Sequence, residues 1–387
     1  MTRLTRLLTN GALLVGAGVL LCLCSTQWSR TDGRANLYVW QADAWLHGRT
    51  DLPYKFIDVA LWHGRAYVPF PPFPSLLVLP LVALLGVVKT NTLPVTLLLA
   101  LVSGEALWRI GERLDVARER RLWLVVAMLL GTGYANTLLF GGSVWFFAHA
   151  VSFCCLLLAV AESLGRQRGW LLGLLIGASF LSRQMTGFAL LLPLAFLWPR
   201  RGALVGLLGA FGACVAVYLW YNALRFDSPL STGYNLLELQ GPLKAKAAQY
   251  GLFHPAFIPF NLAYLLLQGP HLVFGGPENL RVLGADAYGT ALPLASPFLL
   301  AACGARASGI VTTRPLRALG IATLLMVIPT LLYYNNGYQQ VNCQRFTLDF
   351  LPLLVIPLAL GQSRLAELPW RALVLWSVLL NALMLWR

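Results

Sequence analysis

Four aspartates lie close together near the start of the chain and could supply catalytic carboxylates. Asp32, Asp43, Asp51 and Asp58 are half of the eight aspartates in 387 residues. They directly follow a first apolar stretch, and their segment ends in a proline-rich run over 67–74. Because the whole chain contains only 15 acidic residues, this grouping suggests chemistry on a substrate held at a membrane surface.

The sequence context of these four carboxylates differs. Asp32, just beyond the first apolar stretch, suits two roles equally: a general base for an acceptor hydroxyl, or the N-cap of a helix. Asp58 shares a segment with the proline-rich run and is a candidate for a second catalytic carboxylate. Asp43 and Asp51 are better explained as a solvated helix position and a turn residue. Asp32 and Asp58 are therefore the catalytic candidates.

Two arginines could hold a phosphate group near these carboxylates. Arg183 interrupts the otherwise apolar stretch 169–198. Its guanidinium could bind a lipid phosphate in bidentate geometry, or extend to the membrane interface as a structural cation. Arg345 could face the same phosphate, or form an ion pair with Asp349 four residues later. Further candidates for substrate contacts are Arg225, Tyr234 and Tyr67.

The composition places these residues in a multi-spanning membrane protein. The chain is 58% hydrophobic and 11% charged, with a mean hydropathy of +0.68, whereas soluble domains contain about 25% charged residues. The net charge of +14 comes mostly from arginines in short loops, which membrane topology requires, so it does not indicate nucleic-acid binding. The chain has no glycine-rich phosphate loop, which argues against nucleotide-sugar or ATP chemistry.

The sequence specifies no cofactor. Six of the seven cysteines lie in apolar runs, where they act as small hydrophobic residues. The five histidines are scattered without ligand spacing, and only His149 is a candidate ligand. The sequence neither requires nor excludes a divalent metal as a cofactor.

The apolar stretches predict an all-α, polytopic transmembrane bundle of about eleven spans, forming one membrane domain over 1–387. The early arginines place the N-terminus in the cytoplasm. Two long outer regions follow, 28–91 with juxtamembrane helices and 225–287. Within the first, 33–47 reads as an amphipathic helix on a wet surface, ended by Gly48. The apolar run 75–88 is too short to span and is interpreted as re-entrant or interfacial.

Several motifs in sequence order resemble the C-type (GT-C) superfamily of integral-membrane glycosyltransferases. This superfamily includes the protein O-mannosyltransferases, the aminoarabinose transferases and their bacterial relatives. The motifs are Asp32-Gly33-Arg34 through Gly48, the double proline 71–72 through Gly86, the mid-chain Arg183, and the runs 221–234 and 336–352. The resemblance covers most of the chain and rests on the order of the motifs.

This resemblance implies inverting transfer of a sugar from a polyprenyl-phosphate donor to an envelope glycan, lipid or protein acceptor, on the outer face of the plasma (inner) membrane. Asp32 would be the base, and Arg183 with Arg345 would hold the carrier phosphate. A single acidic residue stands where many relatives have two, which keeps a non-catalytic assembly partner of the same fold open. A flippase or transporter of lipid-linked saccharides is the other alternative.

Overall fold

The structure is a computed structural model that describes residues 33–198, 200–285, 289–335 and 345–384. Its α-helices, in chain order, are α1 Leu37–Leu46, α2 Phe73–Lys89, α3 Leu93–Arg113, α4 Arg118–Leu130, α5 Tyr134–Phe140, α6 Val144–Leu164, α7 Gly169–Phe180, α8 Leu191–Leu197, α9 Arg201–Phe226, α10 Gly241–Tyr250, α11 Ile258–Leu262, α12 Leu292–Ala295, α13 Thr313–Leu332, α14 Val355–Gln362 and α15 Glu367–Met384. Short 3-10 helices include Gln184–Leu190, Pro297–Gly304, Arg345–Asp349 and Leu351–Leu354.

Apart from isolated bridges, the β-structure in the described residues consists of two antiparallel hairpins. In the first, β1 Ala60–Trp62 pairs with β2 Arg65–Tyr67. In the second, β3 Leu272–Gly275 pairs with β4 Arg281–Ala285, with an irregular register near Val273. Both hairpins lie in the regions predicted to be the long outer loops, so the prediction of an all-α membrane bundle is confirmed.

Four described helices are long and apolar enough to cross a membrane: α3, α6, α9 and α13. Helices α4 and α5 together are also long and apolar enough to cross a membrane, as one span bent by 57°. Shorter apolar helices at Gly169–Phe180, Gln184–Leu197 and Leu351–Gln362 stand where three further crossings are predicted. The first predicted crossing lies outside the described residues.

The first outer region is more deeply packed than its sequence suggests. Asn36 caps α1, because its side chain accepts a hydrogen bond from the backbone N–H of Tyr38 at 3.1 Å. Most of α1 is buried, including the polar Gln41. The prediction of a wet amphipathic surface helix is therefore wrong. Gly48 does follow the helix in the left-handed conformation, at φ +67°, as its sequence position predicts.

Gln41 explains how a helix with polar residues can be buried here. Its side-chain oxygen accepts a hydrogen bond from the Ser75 hydroxyl at 2.6 Å. Its amide nitrogen donates to the Tyr221 hydroxyl at 3.0 Å. A buried amide that is satisfied on both sides costs little, so Gln41 joins α1 to α2 and α9.

Helix α2 is interrupted at a glycine near its C-terminal end, whereas its internal proline is accommodated within the helix. It contains Pro80, and at Gly86 the backbone takes non-helical angles of φ 69° and ψ 171°. The backbone N–H of Phe73 donates to the carbonyl of Leu181 at 2.9 Å. This bond fixes the start of α2 beside the turn that carries Arg183.

Helix α6 lies at the centre of the bundle, and 89% of its most apolar segment is buried. It packs against α3, α7 and the short helices after Arg345. Its first turns carry Trp145 and His149, which both belong to the polar site described next. A buried central helix has few alternative positions, so it holds these two side chains firmly.

Candidate functional site

A cavity of about 960 Å³ opens at the N-terminal end of α6. Its walls come from the first outer region, the turn after α7, the segment 232–243, the end of α13 and the helix Arg345–Asp349. Most of the wall is apolar or aromatic. The charged side chains that line it are Lys55, Asp58, Arg183, Glu238, Arg345 and Asp349.

Asp58 is a half-buried carboxylate on this wall. Its backbone is left-handed, at φ +63°, which holds the side chain on a tight turn before β1. The Trp145 indole N–H donates to Asp58 Oδ2 at 2.9 Å. Burial raises the pKa of Asp58 above that of an ordinary aspartate, although the Trp145 hydrogen bond and the charge of Arg345 oppose this shift. Such a carboxylate suits a general base.

Arg183 forms a forked ion pair with Asp349. Its Nη2 lies 3.0 Å from Asp349 Oδ2, and its Nε lies 3.2 Å from Oδ1 and 3.3 Å from Oδ2. The carboxylate is 5% exposed. Because both Nε and Nη2 are engaged, the plane of the guanidinium is fixed.

The backbone around Arg183 is fixed as well. Its N–H donates to the carbonyl of Ser179 at 2.7 Å, at the end of α7. Its carbonyl accepts a hydrogen bond from the Thr186 hydroxyl at 2.7 Å. Arg183 Nη1 makes no hydrogen bond to any described residue. The arginine lines the cavity, so one edge of its guanidinium stays available to a ligand.

His149 stands behind this pair. It is fully buried in α6, and its Nδ1 lies 3.1 Å from Asp349 Oδ1. Asp349 therefore contacts a histidine on one side and an arginine on the other. This arrangement positions Asp349, and through it Arg183.

Arg345, at the start of the short helix Arg345–Asp349, also lines the cavity. Its guanidinium carbon lies 5.3 Å from the ring centre of Phe346 and 5.8 Å from that of Trp145. Both distances fall in the range of cation–π contacts. Trp145 thus touches both the carboxylate of Asp58 and the arginine.

Four residues predicted from sequence to form the site line this one cavity: Asp58, Arg183, Arg345 and Tyr234. Asp32, the predicted base, lies outside the described residues. The grouping places a carboxylate and two guanidiniums around a common space. Their assigned chemical roles stay predictions.

Arg225 and Tyr67 do not line the cavity. Arg225 is 1% exposed; its Nη2 donates to Asn222 Oδ1 at 2.7 Å, and its Nη1 donates to the carbonyl of Val68. Tyr67 packs against Phe226 with ring centres 5.7 Å apart. These contacts tie the end of α9 to the first outer region. The substrate contacts predicted for Arg225 and Tyr67 stay predictions.

Sequence reasoning missed the contacts of Asp349 with Arg183 and His149. The spacing of four residues favours a pair between Arg345 and Asp349, whereas the structure shows Asp349 bonded to Arg183. The signal that could have found it is an acidic residue at the start of an apolar stretch, which by itself suggests a functional site. No group of three or more His, Cys, Asp or Glu side chains that could hold a metal occurs among the described residues.

No protein-family model matches the chain, and no curated protein matches it either. The fold is similar to that of ArnT from Cupriavidus metallidurans, solved bound to undecaprenyl phosphate. The two share a TM-score of 0.53 and 12% sequence identity, over 94% of this chain and 62% of ArnT. The chain therefore spans less than two thirds of the length of that protein. At this identity the likeness shows the fold alone, which is that of a polytopic helical membrane protein.

Proposed function

We propose that the protein is an inverting glycosyltransferase that takes a sugar from a polyprenyl-phosphate carrier. The observation that carries this proposal is the cavity itself, in which two arginines and a carboxylate of raised pKa face a mostly apolar space. An apolar wall suits a prenyl chain, and guanidinium groups suit its phosphate. The ArnT structure, which contains undecaprenyl phosphate, supports the same donor class.

In the proposed reaction, Arg183 binds the phosphate through its free Nη1 edge. The phosphate gains charge as the bond from its oxygen to the sugar breaks. A donor fixed in advance at that oxygen stabilises the transition state more than the ground state. Asp349 and His149 act as positioning residues, because they hold the guanidinium plane before the donor arrives.

The acceptor hydroxyl attacks the anomeric carbon from the face opposite the phosphate. A carboxylate removes the hydroxyl proton while the new glycosidic bond forms, and the polyprenyl phosphate leaves with the electron pair of the broken bond. We assign this role to Asp58, because it lines the cavity and, unlike Asp349, does not pair with Arg183. Asp32 is the second candidate, so the experiment below includes both.

The acceptor is an envelope glycan, lipid or protein on the outer side of the plasma membrane. We assign this side because Arg109, Arg113 and Arg168 lie at the end of the bundle opposite the cavity, and the charge rule favours the cytoplasm for such arginines. The aromatic rings on the cavity wall, among them Trp145 and Tyr234, offer surfaces on which a sugar can stack.

The test uses purified full-length protein with a series of polyprenyl-phosphate sugars and an envelope extract as acceptor. We expect the wild-type protein to release polyprenyl phosphate. We expect this release to be lost in Asp58→Asn or in Asp32→Asn. Asp43→Asn is the matched control, because this aspartate pairs with His47 at 3.7 Å, away from the cavity. Full turnover in both Asp58→Asn and Asp32→Asn would contradict the mechanism.

The same experiment separates the rival functions. A non-catalytic assembly partner would bind the polyprenyl-phosphate sugar without breaking the bond between the sugar and the phosphate. A transporter would move the intact lipid-linked sugar between leaflets in vesicles. Release without net movement of intact donor supports the transferase.

A further inference from the structure

A second groove lies at the opposite end of the bundle from the cavity. It has a volume of about 590 Å³ and is formed by α3, α6 and α7. In α6, Ala148 lines the cavity and Ala161 lines the groove. At 1.5 Å per residue, roughly 20 Å of helix separates the two. The groove therefore belongs to the other leaflet.

The apolar part of the groove lining suits one acyl chain. Buried α6 provides its floor through Leu158 and Ala161, and α3 and α7 provide its walls. The apolar lining includes Leu101, Leu171 and Leu175. Leu101 is 73% exposed on the outside of the bundle. The groove is thus open to the hydrocarbon of the membrane.

Three arginines line the charged end of this groove, together with two glutamates. Arg109 Nε pairs with Glu105 Oε1 at 2.7 Å, and Arg168 Nε pairs with Glu162 Oε1 at 2.9 Å. Arg113 differs, because it donates to the carbonyl of Ala161. No carboxylate lies within ion-pairing distance of Arg113 among the described residues. One positive charge is left over at the groove.

We infer that this groove binds an anionic phospholipid of the cytoplasmic leaflet. Its single uncompensated charge matches the single net charge of a phosphodiester headgroup such as phosphatidylglycerol. The apolar lining beside it takes an acyl chain. Basic pockets between helices on the cytoplasmic side commonly bind such headgroups. The site is separate from the donor cavity, and the inference does not depend on the proposed function.

The test measures lipid binding to the purified full-length protein in detergent by native mass spectrometry. Dioleoyl phosphatidylglycerol is compared with dioleoyl phosphatidylcholine, which has the same chains and no net charge. One arginine near an anionic headgroup contributes about 1 kcal/mol, so we expect about fivefold tighter binding of phosphatidylglycerol. Equal binding of the two lipids would overturn the proposal.

Two variants locate the site. Arg113→Gln should abolish the preference for phosphatidylglycerol, whereas Arg118→Gln should keep it, because Arg118 is exposed outside the groove. Leu101→Trp leaves every charge in place and obstructs the groove, so it should weaken binding of both lipids. The proposal is wrong if Arg118→Gln loses the preference as fully as Arg113→Gln, or if Leu101→Trp binds both lipids as the wild type does.

Discussion

The protein buries arginine–carboxylate clusters at both ends of its bundle, and the two clusters differ in what they leave available. At one end, Arg371 is fully buried and contacts Glu119 and Glu367. Its neighbour Arg120 pairs with Glu367 at 2.9 Å and donates to the carbonyl of Leu365 at 2.8 Å. This cluster joins the start of α4 to the start of α15.

At the other end, Arg183 has one carboxylate partner among the described residues, Asp349, and an edge that faces a cavity. The same chemistry thus serves two purposes. A cation between two carboxylates stabilises the contact of two helices, whereas a cation with a fixed plane and a spare donor edge can bind an anion. The presence of a buried arginine alone does not distinguish a site from a structural pair.

Arg183→Lys tests the spare donor edge and should give the largest effect. Lysine keeps a positive charge beside Asp349 but cannot present a fixed fork. Loss of a preorganised donor to a developing oxyanion costs about 10²–10³ in turnover. The measurement is release of polyprenyl phosphate by folded protein at saturating donor. Turnover within a few fold of wild type would show that the edge is not used.

Arg371→Gln tests the structural cluster. Removing one partner of a buried ion pair costs about 3–5 kcal/mol, and we expect a value near the lower limit because Glu119 and Glu367 are 39% and 28% exposed. Chemical or thermal unfolding in detergent measures the loss, and turnover per folded molecule should stay unchanged. Unchanged stability together with reduced turnover would reverse the roles of the two clusters.

The pH dependence of transfer tests the carboxylate of the cavity. The base must be ionised, and burial raises the pKa of Asp58. Activity should therefore fall as the pH drops through a value above that of an ordinary aspartate. Trp145→Phe removes the hydrogen bond that favours the ionised form, so the acid limb should move to higher pH.

The control for this shift is Trp62→Phe. Trp62 also donates to an aspartate, Asp227, at 2.9 Å, but on the exposed hairpin away from the cavity. The acid limb of the pH profile of Trp62→Phe should coincide with that of wild type. An acid limb that does not move in Trp145→Phe would assign the base to another carboxylate, with Asp32 the first to test.

The smallest effect is expected for the ion pair at the mouth of the cavity. Lys55 Nζ lies 2.6 Å from Glu238 Oε2, and both side chains are more than half exposed. Exposed pairs contribute about 0–1 kcal/mol, so Lys55→Ala should change the free energy of unfolding by less than that. A double-mutant cycle with Glu238→Ala measures the coupling. A coupling free energy well above this range would mean that this ion pair holds the two outer regions together.

Sequence analysis could predict the fold because apolar stretches of span length determine membrane helices directly. It also singled out Asp58, Arg183 and Arg345, which line one cavity, because charged residues are rare in this chain. It could not predict that Arg183 pairs with Asp349, since the two are separated by 166 positions. They meet because α7 and the helix Arg345–Asp349 both pack against α6. Local spacing favours a nearer partner.

The burial of α1 was unpredictable for the same reason. Its polar residues suggest a solvated face, yet Gln41 is satisfied by Ser75 and by Tyr221, which is 180 positions away. Partners this distant leave no periodic pattern in the sequence of the helix itself.

The most direct test of the donor site compares the binding of undecaprenyl phosphate and undecaprenol by the purified protein. If Arg183 and Arg345 hold the phosphate, hydrogen bonds to charged groups worth about 1.5–3 kcal/mol should make undecaprenyl phosphate bind roughly 10–100-fold more tightly. The advantage should vanish in a variant with Arg183→Gln and Arg345→Gln, and persist in Arg113→Gln. Equal affinity for the two lipids in wild type would contradict the account.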